Sequence, residues 1–321
     1  MKKVLIIGIT GQDGLFLARH LLESNPQTEI YGTSRNRINN KFYKNLEILN
    51  IKNNENIKLL EVDLLDSKSV NNLIKGITPD AVYNLSGPSS VYESISNPKI
   101  SNEIKNIFNN LINSLILENN FCKFFQSSSS EMFGPSNFKL NENSYFSPNS
   151  PYSLAKLNNH IRVSELREKY DWKIYSGIMF NHESEFRTND FLIMKIIEGA
   201  LNIKNKRSNL LTIGSLDIVR DWSYAGDVVE AIQAILQEGK EFNYNIASGK
   251  SHRIKNIIEI VFSYLDLNWV KYVNVDSSLL REGDHAHREA DITKILNHTS
   301  WKPKTSLEIF LENIIKFKMS S

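Results

Sequence analysis

The stretch KVLIIGITGQDGLFLARHLLE, residues 3–23, leaves few folds open to the chain that follows it. An apolar run ends at Gly8, Gly11 and Gly14 follow at three-residue spacing, and a pattern of helical period comes next. Glycines permit a tight turn and close backbone approach, and the start of the helix offers free N–H groups and the positive end of its dipole to a phosphate. A glycine triplet alone is compatible with a plain tight turn. With a strand before it and a helix after it, the triplet reads as a dinucleotide-binding turn.

The rest of the first half repeats the alternation. EIYGT, IKLLEVD, DAVYNL, CKFFQSS and WKIYSGIMF read as strands, some continuous enough to be buried on both faces, with helical patterns between them. Between residues 102 and 117, for example, Ile104, Ile107, Phe108, Leu111 and Leu115 share one helical face. This order predicts an α/β fold, a Rossmann-type doubly wound parallel sheet. After about residue 180 the alternation weakens into DFLIMKIIEGAL, AGDVVEAIQAILQEG and KNIIEIVFSYL with polar segments between, which suggests a smaller α+β substrate-binding lobe. The expected division is a nucleotide-binding domain over 1–180, rejoined by a segment near 215–240, and a lobe made mainly of 181–321. The Asn- and Lys-rich stretch 35–57 reads as an irregular excursion.

Charge and composition exclude several function classes. With 38 basic and 36 acidic side chains, the formal net charge of +2 provides no field for gripping nucleic acid or an anionic membrane. The N-terminal apolar stretch is too short for a signal peptide, and no later one reaches the length of a membrane span, so a cytoplasmic setting is expected. The lone Cys122 cannot pair within the chain and reads as a buried, inert thiol. His285 and His287, with Asp284 beside them, are two histidines at alternate spacing in a polar loop, with no third ligand spaced for a helix or hairpin, and read as solvated groups rather than a metal site.

Two further patterns carry chemistry. The second strand ends in GTSRNR, with Arg35 and Arg37 where an NAD site usually places a carboxylate, and this favours the 2′-phosphate of NADP unless both arginines are simply solvated. Asp63, at the end of the third strand, is placed to reach an adenine amino group or to cap the next helix. Tyr152 and Lys156 lie four residues apart in a helical pattern, so the ammonium can support a phenolate on the same face. Upstream, SSSSEMFG at 127–134 sets Glu131 among hydroxyls at a strand end.

The glycine spacing, the strand-end hydroxyl and Tyr-x-x-x-Lys resemble the extended short-chain dehydrogenase/reductase superfamily. The GQDG turn, FNHES at 180–184, LDIVRDW at 216–222 and the arginine of LLREGD resemble more specifically the GDP-mannose 4,6-dehydratase family, from residue 3 to about 305. The resemblance implies an NADP-dependent lyase of nucleotide-sugar metabolism acting on a GDP-linked sugar, with Ser129, Glu131, Tyr152 and Lys156 as its catalytic set. It implies cofactor contacts from Gly8, Thr10, Gly11, Gln12, Asp13, Gly14, Arg35, Asp63, Leu64, Leu85, Ser89, Tyr152, Lys156, His182 and Arg187. Substrate contacts are implied for Ser89, Asn181, Lys195, Arg220, Arg281 and Asp284, and the partner is expected to be a second copy of the chain, in a dimer or tetramer.

The departures from the family pattern fall in three places. Leu85-Ser86-Gly87-Pro88-Ser89 stands where L-x-A-Q-S is usual, Glu185-Phe186 replaces Pro-Arg, and Arg281 is followed by Glu282 rather than Pro. The segment after Arg35, which in the family helps build a tetramer contact, is also shorter, and Ser129 takes the place of Thr. The first two changes are expected to face the hexose, which leaves GDP-mannose, GDP-N-acetylglucosamine and a GDP-heptose as substrates to compare. A nucleotide-sugar epimerase or reductase would share Tyr152 and Lys156 without needing Glu131, and a non-catalytic NADP-binding regulator would need none of the four.

Overall fold

The computed structural model describes residues 1–320 apart from 36–38, 88–90, 98, 137 and 281–286. Its first half runs β1 (Lys3–Ile7), α1 (Gln12–Ser24), β2 (Glu29–Ser34), α2 (Asn40–Ile48), β3 (Ile57–Glu61), α3 (Ser67–Ile77), β4 (Ala81–Asn84), α4 (Val91–Ser96), α5 (Lys99–Leu117), β5 (Lys123–Ser129), β6 (Lys139–Leu140), α6 (Pro151–Tyr170) and β7 (Ile174–Met179). The remainder runs β8 (Asn181–Glu183), α7 (Leu192–Lys204), β9 (Leu211–Ile213), β10 (Val219–Tyr224), α8 (Ala225–Glu238), β11 (Asn243–Ile246), β12 (Ser251–Arg253), α9 (Ile254–Tyr264), β13 (Val273–Val275), β14 (Glu289–Ala290), α10 (Thr293–His298) and α11 (Leu307–Ser320).

Seven strands form one sheet in the order β11-β7-β5-β4-β1-β2-β3, with every neighbouring pair parallel. Successive side chains on a strand face opposite ways, and β1 divides accordingly. Val4 and Ile6 join a core with α1 and α8, whereas Leu5 and Ile7 join another with α3, α5 and α6. Both faces are therefore covered, which is why these strands are continuously apolar. The chain runs outward from β1 in both directions, so β1 and β4 flank the point where strand order reverses, the usual place for a ligand crevice in such sheets.

A separate core gathers Ile193, Ile197, Trp222, Ile258, Phe262, Phe310 and Ile314 from α7, β10, α9 and α11. Strand β10 links this second lobe to the site, pairing with β8 in parallel and β12 antiparallel. Its successor α8 packs on α1, and β11 then closes the edge of the large sheet, so the chain crosses back to the first layer before the lobe is complete.

The stretch 35–57 is not wholly irregular, since it holds α2. Asn39 caps that helix by accepting the Phe42 N–H at 3.0 Å, and Phe42 and Leu46, one turn apart, are buried. Low apolar content hid the helix, because two core contacts suffice for so short an element. Cys122 lies just before β5 and is half-buried, its thiol pushed up to about 12 by burial, so it stays protonated. Among the described residues no helix is long and apolar enough to cross a membrane.

Candidate active site

Parallel strands bring all their C-terminal ends to one rim, and that rim gathers most of the expected residues. Gly8 follows β1 with φ +86, and a Cβ there would lie 3.2 Å from the Leu85 carbonyl, beyond β4. A Cβ on Gly14 would meet the Gly8 carbonyl oxygen at 2.5 Å, so only glycine lets α1 start this close to the turn. Arg35 stands beyond β2, Asp63 and the buried Leu64 beyond β3, Ser129 at the end of β5 and Asn181 beyond β7.

Three of the four serines in the run make distinct contacts. Ser127 receives Lys156, whose Nζ donates to its carbonyl at 2.8 Å and approaches its hydroxyl at 3.3 Å. The Ser128 hydroxyl lies 2.7 Å from that of Ser176, which lies 2.8 Å from His160 Nδ1, a chain joining β5, β7 and α6. Burial holds His160 down at about 4, so the chain is neutral. The Ser129 hydroxyl accepts the Glu131 N–H at 3.2 Å and starts a tight turn over Ser130–Phe133, which carries Glu131 past the end of the sheet.

Ser150 caps α6 with a reciprocal Ser153 bond, setting Tyr152 in the first turn and Lys156 one turn later. The Lys156 Nζ is 5.7 Å from the Tyr152 ring centroid. Burial pushes the phenol up to about 12, with hydrogen bonding to Ser129 pulling the other way, and burial pulls the ammonium down to about 8. At neutral pH Lys156 is thus still mostly charged and Tyr152 still protonated, and the cation is what can lower the cost of a phenolate.

That buried charge has a stability consequence. Lys156 titrates near 8 when folded against 10.5 unfolded, so between those values the unfolded chain binds more protons and stability rises with pH. Below pH 8 the full penalty applies, about 3 kcal/mol, offset by about 1 kcal/mol for its hydrogen bond. A Lys156→Met variant is expected to be about 2 kcal/mol more stable at pH 7 by urea denaturation, with the gain gone near pH 10. Equal or lower stability at pH 7 would show that the ammonium stabilises the fold.

The GQDG turn and the NHES stretch lock together across 170 residues of sequence. Gln12 donates to the His182 carbonyl at 3.1 Å and accepts the Ser184 hydroxyl at 2.9 Å. His182 places Nε2 3.0 Å from Asp13 and Nδ1 2.8 Å from the Phe180 carbonyl. Both partners accept, so the ring serves both only as an imidazolium. Burial opposes that charge, but the Asp13 carboxylate outweighs it and raises His182, while Asp13 is lowered in turn despite its burial. Beside them Glu183 is pushed up to about 7 by burial, and the Arg187 Nε, 3.4 Å from Glu183 Oε2, makes no hydrogen bond.

The strand pairing Trp222↔Asn181 and Ser223↔His182 sets NHES beside RDW. Arg220 is buried, with Nη1 donating to its neighbour's carbonyl at 2.8 Å, and Asp221 accepts the Ser248 N–H and hydroxyl. Thr10 is exposed at the turn, as is Lys195 on α7. Asp63 accepts the Leu65 N–H, and the cap of α3 is Asp66 instead. Arg37, Pro88, Ser89, Arg281, Asp284 and His285 lie outside the described residues.

Glu185 and Phe186, expected to face the hexose, have partners within the protein: the Phe186 ring packs 5.5 Å from Phe16 and 6.0 Å from Phe317, and Glu185 lies 3.5 Å from the Tyr224 hydroxyl. Arg35 pairs with Glu103 of α5 at 2.9 Å. Three partners escape local reading altogether: Ser127 on Lys156, Glu103 on Arg35, and Arg288, whose guanidinium holds Glu131 from 157 residues away.

Known proteins match this arrangement throughout. A family model described as GDP-mannose 4,6 dehydratase covers residues 5–314. GDP-mannose 4,6 dehydratase 1 of Arabidopsis thaliana is 32% identical over 98% of this chain and 89% of its own length. Among solved structures, dTDP-glucose 4,6-dehydratase from Bacillus anthracis in complex with NAD superposes with a TM-score of 0.85 at 18% identity, covering 100% of this chain and 97% of the other. RMD from Pseudomonas aeruginosa complexed with NADPH gives 0.81 at 21% identity, covering 100% and 98%. With nearly the whole chain matched and the GQDG, NHES and RDW stretches brought side by side, this protein belongs to the GDP-mannose 4,6-dehydratase family.

Proposed function

We propose that the chain removes water from a GDP-linked hexose, GDP-mannose before the related N-acetylhexosamine or heptose compounds, to give the 4-keto-6-deoxy sugar. The observation that carries this reading is Glu131, a carboxylate one tight turn beyond Ser129 whose charge is felt by the Tyr152 phenol. Alcohol oxidation needs Ser129, Tyr152 and Lys156; elimination needs an additional acid and base, and Glu131 fills that need.

The residues also fit a nicotinamide dinucleotide. A positive-φ glycine pressed against the β4 end, a buried Thr33 hydroxyl with no partner at the end of β2, and the unbonded Arg187 Nε all border the rim where such a group would lie. NADP is the form supported by Arg35. Its pair with Glu103 is 52% exposed on the arginine side, and an exposed pair contributes about 0.2–1 kcal/mol, so a 2′-phosphate with more charge displaces it readily.

A bound nicotinamide would supply a hydride acceptor at C4 and a hydride donor at C6, so the reaction would need no outside reductant. Tyr152 accepts the 4-hydroxyl proton while Ser129 hydrogen-bonds to the same oxygen and Lys156 stabilises the phenolate. The C4 ketone makes the C5 hydrogen acidic. Glu131 removes that proton and delivers it to the departing 6-hydroxyl, which leaves as water. Arg220 and Lys195 act on the diphosphate, and the working form is a homo-oligomer, dimer or tetramer.

Purified protein incubated with GDP-mannose alone is expected to form a 4-keto product, and denaturation to release NADP. Arg35→Ala should weaken NADP binding about tenfold to a hundredfold and leave NAD binding unchanged. Release of NAD alone would overturn the cofactor assignment, and faster turnover of a UDP- or dTDP-sugar would overturn the GDP assignment.

A further inference from the structure

Glu131 is gripped by a side chain that the reaction scheme does not use. Arg288 Nη1 lies 2.5 Å from Glu131 Oε1, and its Nε donates to the Gly134 carbonyl at 3.3 Å, so one guanidinium spans the turn that carries the acid. Arg288 is 6% exposed. Its backbone runs along β10, with its N–H donating to the Val219 carbonyl and its carbonyl accepting the Asp221 N–H, each at 3.3 Å. The acid at the rim of the sheet is therefore aimed from a segment held on β10, beside the buried Arg220.

A charge-assisted bond of this kind orients a carboxylate. We propose that Arg288 is a positioning residue for the elimination step, acting through Glu131 and taking no part in oxidation at C4. In that step the C5–H bond breaks, its proton passes to Glu131, and the electron pair enters the enolate of the C4 ketone. Enolate collapse then breaks the C6–O bond and forms the C5–C6 double bond, with the proton leaving on O6 as water. Protonation of Glu131 costs it the ion pair with Arg288, and release of the proton to O6 restores the pair, so the guanidinium assists the second half of the transfer. The inference rests on the dehydratase reading.

Single-turnover experiments with GDP-mannose separate the two steps. In Arg288→Gln the near-ultraviolet absorbance of reduced nicotinamide is expected to rise at the wild-type rate. Its decay, and formation of the 6-deoxy product with C5 deuterium uptake in heavy water, should slow about 10- to 100-fold, less than loss of the acid itself. Arg288→Lys, which keeps the charge without the two-point grip, should recover part of the lost rate. Equal loss of both phases, or no change in either, would overturn the proposal. Should the wild type convert no GDP-sugar, the dehydratase reading fails, and a melting-temperature cycle of Glu131→Gln, Arg288→Gln and the double variant still judges the pair. Non-additive losses would sustain the pairing, and additive losses would remove the basis of the inference.

Discussion

Tyr152→Phe is expected to stop turnover before any hydride leaves C4. The substitution deletes one oxygen from a side chain that is 7% exposed and packed with Ile104 and Ala155, so the ring keeps its place and the fold its stability. What is lost is the phenol oxygen set beside Ser129 and Lys156 to take the 4-hydroxyl proton. A general base contributes about 10²- to 10⁴-fold. The phenol already stands near 12 because burial disfavours its charge, so its function depends on nearby positive charge such as that of Lys156. In a single turnover, reduced nicotinamide should fail to appear. Its accumulation in this variant would show that Tyr152 is not the base.

Glu131→Gln should fail at a different point. Glutamine preserves size and can still accept from Arg288, but it can neither take the C5 proton nor supply one to O6. Oxidation at C4 proceeds, the reduced nicotinamide has no acceptor at C6, and dehydration falls by about 10²- to 10⁴-fold. The two variants thus give opposite absorbance records from the same assay, absence of the reduced form for Tyr152→Phe and its persistence for Glu131→Gln. Near-wild-type dehydration by Glu131→Gln would reduce SSSSEMFG to a polar turn.

The serine run illustrates how far local reading reaches. Its position after an apolar strand marks a strand end, and Glu131 within it is the proposed acid. That Ser127 receives Lys156, or that Ser128 continues through Ser176 to His160, depends on strands and a helix brought together by the sheet. Glu185 and Phe186 make the same point in reverse. As a departure from a family pattern they look like a change of sugar contact, but their side chains are engaged with Phe16, Phe317 and Tyr224.

The sequence by itself determined the features set by short-range geometry. Strand and helix periods, the glycines that let α1 begin against the end of β1, and the one-turn spacing of Tyr152 and Lys156 all depend on residues a few positions apart, where backbone sterics leave few choices. Tertiary structure alone decided which charges meet. Arg35 meets Glu103, His182 meets Asp13 and Glu131 meets Arg288 because a parallel sheet collects its strand ends at one rim and later segments pack back against it. No local spacing encodes such pairs. Their energies come from burial and from the distance between groups far apart in the chain, and both exist only once the two layers have packed.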